Sequence, residues 1–228
     1  MATDQKDLSN IRVLVVDDED FYRSLIVRIL EQIGINHIEQ AADGAQAVAG
    51  LGMFKPDLMI VDIMMEPMNG LKLLKMIRIG MTDAPGDLPA IVLTGLSDGG
   101  LMGTALALDC DAFRKKDAGP DAIRDKIARV ISSPRHMKAT DSYGAVTIPS
   151  VDRAPQQEAP VEPSRPRSAS SIEIPVYELQ AGAVLDQDLM SEEGYLMYAA
   201  ETALREADVS RLQDLSEVIG LQTVIIRQ

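Results

Sequence analysis

Three short runs constrain this chain most: IRVLVV from Ile11 to Val16, LMIV from Leu58 to Val61 and AIVL from Ala90 to Leu93. Each is rich in β-branched residues and nearly free of polar ones, the signature of strands buried on both faces of a parallel sheet. Amphipathic helical stretches lie between them. Phe21, Leu25, Ile26, Ile29, Leu30 and Ile33 form one stripe, closed by Gly34; Leu71, Leu74 and Ile77 form a second; Ile123, Ile127 and Val130 form a third. Weaker strands are expected at His37 to Ala41 and Asp111 to Lys115, with helices near Ala45 to Met53 and Gly99 to Leu108. The first 131 residues therefore read as five β-α units.

Where the strand-like runs stop, polar residues stand: Asp17 and Asp18, Asp62, Thr94 and Lys116. Parallel strands all point one way, so residues just past their carboxyl ends gather at one sheet edge, where such folds hold ligands. Asp17 and Asp18 have a second reading, as caps of a helix beginning near Glu19. Asp62 shifts the balance, because neighbouring first and third strands would bring three anions together. At about 4 Å each pair repels by roughly 1 kcal/mol in water and about 4 kcal/mol at an effective dielectric of 20. A cation relieves this, and ligands that are all oxygen select a hard one, Mg²⁺ in preference to Ca²⁺ where water completes the shell. Lys116 supplies positive charge for a phosphoryl group, and the Thr94 hydroxyl could donate to one, although a threonine at a strand end is common.

The strings VLVVDDED (Val13 to Asp20), DLMIVDIMMEPMNG (Asp57 to Gly70), PAIVLTGLSD (Pro89 to Asp98) and CDAFRKKD (Cys110 to Asp117) make residues 10–131 resemble the receiver domain of a two-component response regulator. The resemblance implies a flavodoxin-like, five-stranded parallel sheet of order 2-1-3-4-5 with helices on both faces. It implies that Asp62 accepts a phosphoryl group from a phosphohistidine on a sensor histidine kinase or phosphotransfer protein. Asp18, Asp62 and the backbone carbonyl of Met64 would hold Mg²⁺ directly, with Asp17 acting through water. Lys116 would hold the phosphoryl oxygens, Thr94 would bond one of them, and Phe113 would turn inward as the fourth helix, fifth strand and fifth helix repack. Such a protein is a switch, not a turnover enzyme. Two departures stand out: Asp117 follows Lys116 where the family usually has proline, and Glu66 stands where proline often does, one position before Pro67. Met64 and Leu96 are apolar where polar side chains could position a hydrolytic water, so phosphate loss should be slow.

Beyond the fifth unit the composition changes. Residues 132–171 hold six of the twelve prolines and show no periodicity, the pattern of a disordered linker. Residues 172–228 read as a small α+β accessory or output domain: SIEIPVYEL as a strand, Glu193-Gly194 as a turn, Ala203 to Ile219 as a helix and LQTVIIR as a closing strand. Leu179, Gly182, Leu185, Asp188, Gly194 and Leu196 loosely resemble a module found beside HD-type cyclic-dinucleotide phosphodiesterases, with Glu201 replacing a glycine often found after the second hairpin strand. These positions can equally be read as shaping turns and a core. Tyr195 and Tyr198 read as sheet residues or as part of a partner surface.

Charge narrows the output. The chain carries a net charge of -13, and residues 172–228 contribute 11 acidic against 3 basic side chains. Such a tail is repelled by phosphate backbones, so DNA is an unfavoured partner. A transcriptional regulator, with Ala203 to Ile219 forming a helix-turn-helix, is the second reading; a metal-dependent phosphohydrolase using Asp62 as nucleophile is the third. A downstream protein or a second copy of the chain is the expected target. The lone Cys110 reads as a buried filler, and His37 and His136 lack zinc-ligand partners. No apolar run approaches the roughly 20 residues that span a bilayer, and MATDQKDLSN lacks a secretory pattern, which together point to a cytoplasmic protein without membrane contact.

Overall fold

A computed structural model describes residues 8–95, 99–116, 119–135, 137–148, 171–190 and 196–227, leaving out the side chain of Thr94. Leu96, Asp117, His136, the Glu193-Gly194 turn, Tyr195 and residues 149–170 of the expected linker lie outside the described residues. The chain divides into two compact units, one of residues 1–95 with 108–146, the other of residues 96–107 with 147–228.

In the first unit five strands, β1 (Arg12–Val16), β2 (His37–Ala41), β3 (Leu58–Asp62), β4 (Ala90–Thr94) and β5 (Ala112–Lys115), form a parallel sheet in the order β2-β1-β3-β4-β5. This is the flavodoxin-like arrangement that the apolar runs and the resemblance imply. Helices α1 (Asp20–Gln32) and α5 (Pro120–Ser132) pack together, as do α2 (Gly44–Phe54) and α3 (Gly70–Arg78). Successive strand residues face opposite sides. Val13, Val15, Ile60, Ile91 and Leu93 accordingly share a core with Ile26, Ile29 and Leu30 of α1 and Ile123, Ile127 and Val130 of α5. Phe21, read as part of the α1 stripe, is exposed; it lies in the first turn of the helix and its ring meets Tyr22 edge-on at 5.4 Å. Gly34 closes α1 at φ 93°, a conformation that favours glycine, and its N–H donates to the Glu31 carbonyl.

Part of the segment read as linker is ordered. Residues 140–144 form α6 (Thr140–Gly144), pinned to the sheet unit by polar contacts that proline and serine content does not announce. Tyr143 is 2% exposed, and its hydroxyl donates to Asp109 Oδ2 at 2.8 Å and accepts from the Lys138 N–H. Lys75 Nζ donates to the carbonyls of Gly144 and Val146, and Arg135 forms a two-pronged pair with Asp111.

The second unit contains α4 (Gly99–Ala107), β6 (Ser171–Pro175), β7 (Leu189–Met190), β8 (Leu196–Tyr198), α7 (Glu206–Ile219) and β9 (Thr223–Arg227). β6 pairs antiparallel with β9 and β7 with β8, so the expected α+β character is present. SIEIPVYEL is strand only as far as Pro175, after which Val176–Glu178 make a 3-10 turn; proline has no N–H to continue the ladder. α7 is one uninterrupted helix, not a helix-turn-helix. Leu179 and Leu185 are buried, Gly182 turns at φ 94°, and Asp188 accepts from the Ala200 N–H, which are the roles of a core and its turns. Glu201, noted in place of a glycine, does adopt a glycine-like φ of 65°, held by its carboxylate against Arg227. Cys110, the chain's one cysteine, is buried.

Candidate functional site at the carboxyl edge of the sheet

The sheet register explains how residues 45 positions apart become neighbours. β1 pairs with both β2 and β3, and Val16 lies opposite Val61, so the residues that follow, Asp17 and Asp62, emerge side by side at the same edge. Oxygen atoms of Asp17, Asp18 and Asp62 all lie within 4.8 Å of one another. Asp62 is 3% exposed and Asp17 2%, whereas Asp18 faces solvent. The capping alternative for Asp17 and Asp18 is not what forms: Glu19 occupies the N-cap position of α1, without a side-chain cap bond, and Asp17 Oδ1 accepts the Glu19 N–H at 2.9 Å.

Lys116 enters from just past β5. Its Nζ lies 2.9 Å from Asp17 Oδ2 and 3.2 Å from both Asp62 Oδ2 and Glu19 Oε1, and the face of the Tyr22 ring is 4.7 Å away. One ammonium therefore balances two buried carboxylates and an exposed one. Burial pushes the Asp62 carboxyl up to about 6; Lys116 opposes this and the Asp17 charge adds to it. Burial alone would pull Lys116 down, but its pairing with Asp17 and Asp62 outweighs that and raises it. Asp17 Oδ2, although ion-paired, makes no well-oriented hydrogen bond. A buried oxygen left in this condition, among oxygen donors only, suits a hard divalent cation.

The backbone of Asp62 is fixed from behind. Ile63 N–H donates to Asp62 Oδ1 at 2.8 Å, and Gly70, the first residue of α3, approaches so closely that a Cβ there would lie 2.0 Å from the Asp62 carbonyl oxygen. Asn69 caps α3 by accepting from the Lys72 N–H. Gly70, Glu19 and Tyr22 are contributors that the sequence reading did not single out; only the glycine carried a signal, as the end of the MMEPMNG turn. The Glu66-Pro67 bond in that turn is cis.

Of the remaining residues, Thr94 ends β4 opposite Lys115, which puts its backbone at the same edge. Phe113 on β5, opposite Val92 of β4, has no exposed surface. Met64, two positions past Asp62, is half-buried. Among the described residues no helix is long and apolar enough to cross a membrane.

Comparison with known proteins agrees with this geometry. Residues 13–128 match the response regulator receiver domain. The chain is 40% identical over 107 residues to a protein-glutamate methylesterase/protein-glutamine glutaminase of Desulfotalea psychrophila, covering 46% of this chain and 28% of that one. It is 29% identical over 139 residues to the response regulator MprA of Mycobacterium ulcerans, covering 61% and 56%. The chemotaxis protein CheY4 of Vibrio cholerae aligns with a TM-score of 0.48 at 26% identity, over 53% of this chain and 98% of that one. The chain thus spans less than two thirds of the length of these curated relatives. With a parallel sheet of order β2-β1-β3-β4-β5, an acidic cluster at its carboxyl edge and a match over half its length, this chain belongs to the response regulator receiver domain family.

Proposed function

We propose that this protein is a phosphorylation-controlled switch in which Asp62 takes a phosphoryl group from a sensor histidine kinase or phosphotransfer protein. The observation that carries this reading is the position of Asp62: buried at the end of β3, 3.2 Å from Lys116 and clustered with Asp17 and Asp18. A carboxylate oxygen of Asp62 attacks the phosphorus of a phosphohistidine. The new P–O bond forms as the N–P bond breaks, and its electron pair returns to the imidazole nitrogen, which takes up a proton. Lys116, 3.2 Å from Asp62, would hold an oxygen of the transferred group, and the Thr94 hydroxyl would donate to another.

The carboxylates of Asp18 and Asp62 and the Met64 carbonyl would hold Mg²⁺, with Asp17 acting through water. Bound there, the ion supplies the positive charge that lets a dianionic group approach three carboxylates. The apolar side chain of Met64 offers no help to a hydrolytic water, consistent with slow phosphate loss.

The acyl phosphate adds charge and acceptor oxygens at the edge, and Thr94 and Phe113 on β4 and β5 are the residues through which that change would spread. The output is a change in protein contacts or self-association, and the setting is the cytoplasm. The acidity of residues 172–228 and the single helix α7 weigh against DNA, and the match to methylesterase relatives does not extend to the greater part of their length. The decisive experiment is incubation with Mg²⁺ and a small acyl-phosphate donor, read by intact mass. Wild type should gain one acid-labile phosphoryl group and Asp62→Asn none; equal labelling of both proteins overturns the assignment.

A further inference from the structure

α4 differs from the other helices around it in chain order. Its sequence, GGLMGTALA, has no charged residue, and every position from Gly100 to Leu106 is buried, Met102 and Ala105 completely. Its one hydroxyl, on Thr104, is turned back to the Gly100 carbonyl at 2.9 Å. α2 has the same uncharged composition, GAQAVAGLGMF, yet exposes Ala45, Gln46, Ala49 and Met53 along one side. A helix apolar on all faces is stable in water only if all of them are covered. For α4 the cover is identifiable: residues 96–107 group with residues 147–228, and α4 packs against β8. β8 is Leu196, Met197 and Tyr198, itself uncharged, with Met197 buried.

We propose that the module of residues 171–190 and 196–227 is a built-in partner for α4, with β8 seated on the uncharged helix that joins the Thr94 strand to the Phe113 strand. The helix that follows the Thr94 strand is thus committed to a segment of the same chain, leaving no need for a separate protein to cover it. A change at Asp62 would reach the module through α4, the element that follows β4 in the chain. That coupling rests on the reading of Asp62 as phosphoacceptor, whereas the seating does not.

The full-length protein, given a specific protease site between residues 155 and 163, tests the seating without any phosphate. After cleavage the two pieces should elute together at low micromolar concentration, and amides of residues 100–107 should stay protected from hydrogen exchange. Met197→Asp should release the carboxyl-terminal piece and speed exchange over residues 100–107 at least tenfold, while α7 and β9 keep their protection and Met197→Leu behaves as wild type. Pieces that part in the cleaved wild-type protein, with α7 and β9 still protected, overturn the proposal. If Met197→Asp unfolds its unit, the cleaved wild type decides alone, co-elution supporting the seating and separation refuting it.

The coupling has its own readout. In protein whose mass shows the phosphoryl group, exchange over residues 100–107 and 196–198 should change together, and unchanged exchange at both refutes it. Failure to take up phosphate would count against the role of Asp62 and would leave the cleavage result standing.

Discussion

The ammonium of Lys116 lies 4.7 Å from the centre of the Tyr22 ring, although the two residues are 94 positions apart in the chain. The ring supplies a second attractive contact beside those to the carboxylates of Asp17 and Asp62 and so helps to restrain the lysine. Cation–π contacts contribute about 0.5–2 kcal/mol. Tyr22→Leu should therefore slow phosphoryl uptake at Asp62 roughly twofold or more, while Tyr22→Phe, which keeps the ring, should react as wild type. Labelling rates with an acyl-phosphate donor at saturating Mg²⁺ distinguish the two variants.

Gly70 sets the position of Asp62 by close approach. A Cβ at 2.0 Å from the Asp62 carbonyl oxygen and 2.8 Å from a Val61 methyl carbon has no flexible neighbour to displace. Gly70→Ala should cost about 1–3 kcal/mol or more, the range for overpacking a buried site. It should also lower phosphoryl uptake, because relief requires the end of β3 to move. Urea unfolding and the labelling rate, measured on the same variant, should both change.

Asp62 should make the metal-free protein less stable at neutral pH. Its carboxyl is raised by burial to about 6 from the ordinary 3.8. Folding thus favours the protonated acid, so the stability linked to this group is full below about 3.8 and is lost as pH rises through about 6. In a chelator at pH 8, Asp62→Asn should be more stable than wild type by on the order of 1–3 kcal/mol. The difference should shrink toward zero near pH 4. Mg²⁺ should raise the denaturation midpoint of wild type and have much less effect on the variant.

Tyr143 ties α6 to the sheet unit. Burial, with help from Asp109, pushes its phenol up to about 12, so it stays protonated and donating across the ordinary pH range. Tyr143→Phe removes a hydrogen bond to a buried carboxylate and should cost about 1.5–3 kcal/mol. Thermal unfolding of the full-length variant checks this, and Tyr143→Phe should leave phosphoryl uptake at Asp62 unaffected.

The sheet and most of the acidic edge could be read from the sequence. Apolar runs of period two or none, separated by stripes of period 3.6, fix strands and helices locally. In a parallel sheet the carboxyl ends must then share an edge, which brings Asp17, Asp18, Asp62 and Lys116 together. Local pattern does not encode which distant residues meet once the sheet forms. Glu19 and Tyr22 reach Lys116, Gly70 backs onto Asp62, and Tyr143 finds Asp109 only through tertiary packing. Nor does composition tell a half-exposed helix from an enclosed one. α2 and α4 are both uncharged, yet one exposes Met53 and the other is buried from Gly100 to Leu106, because burial depends on what the rest of the chain lays against a helix.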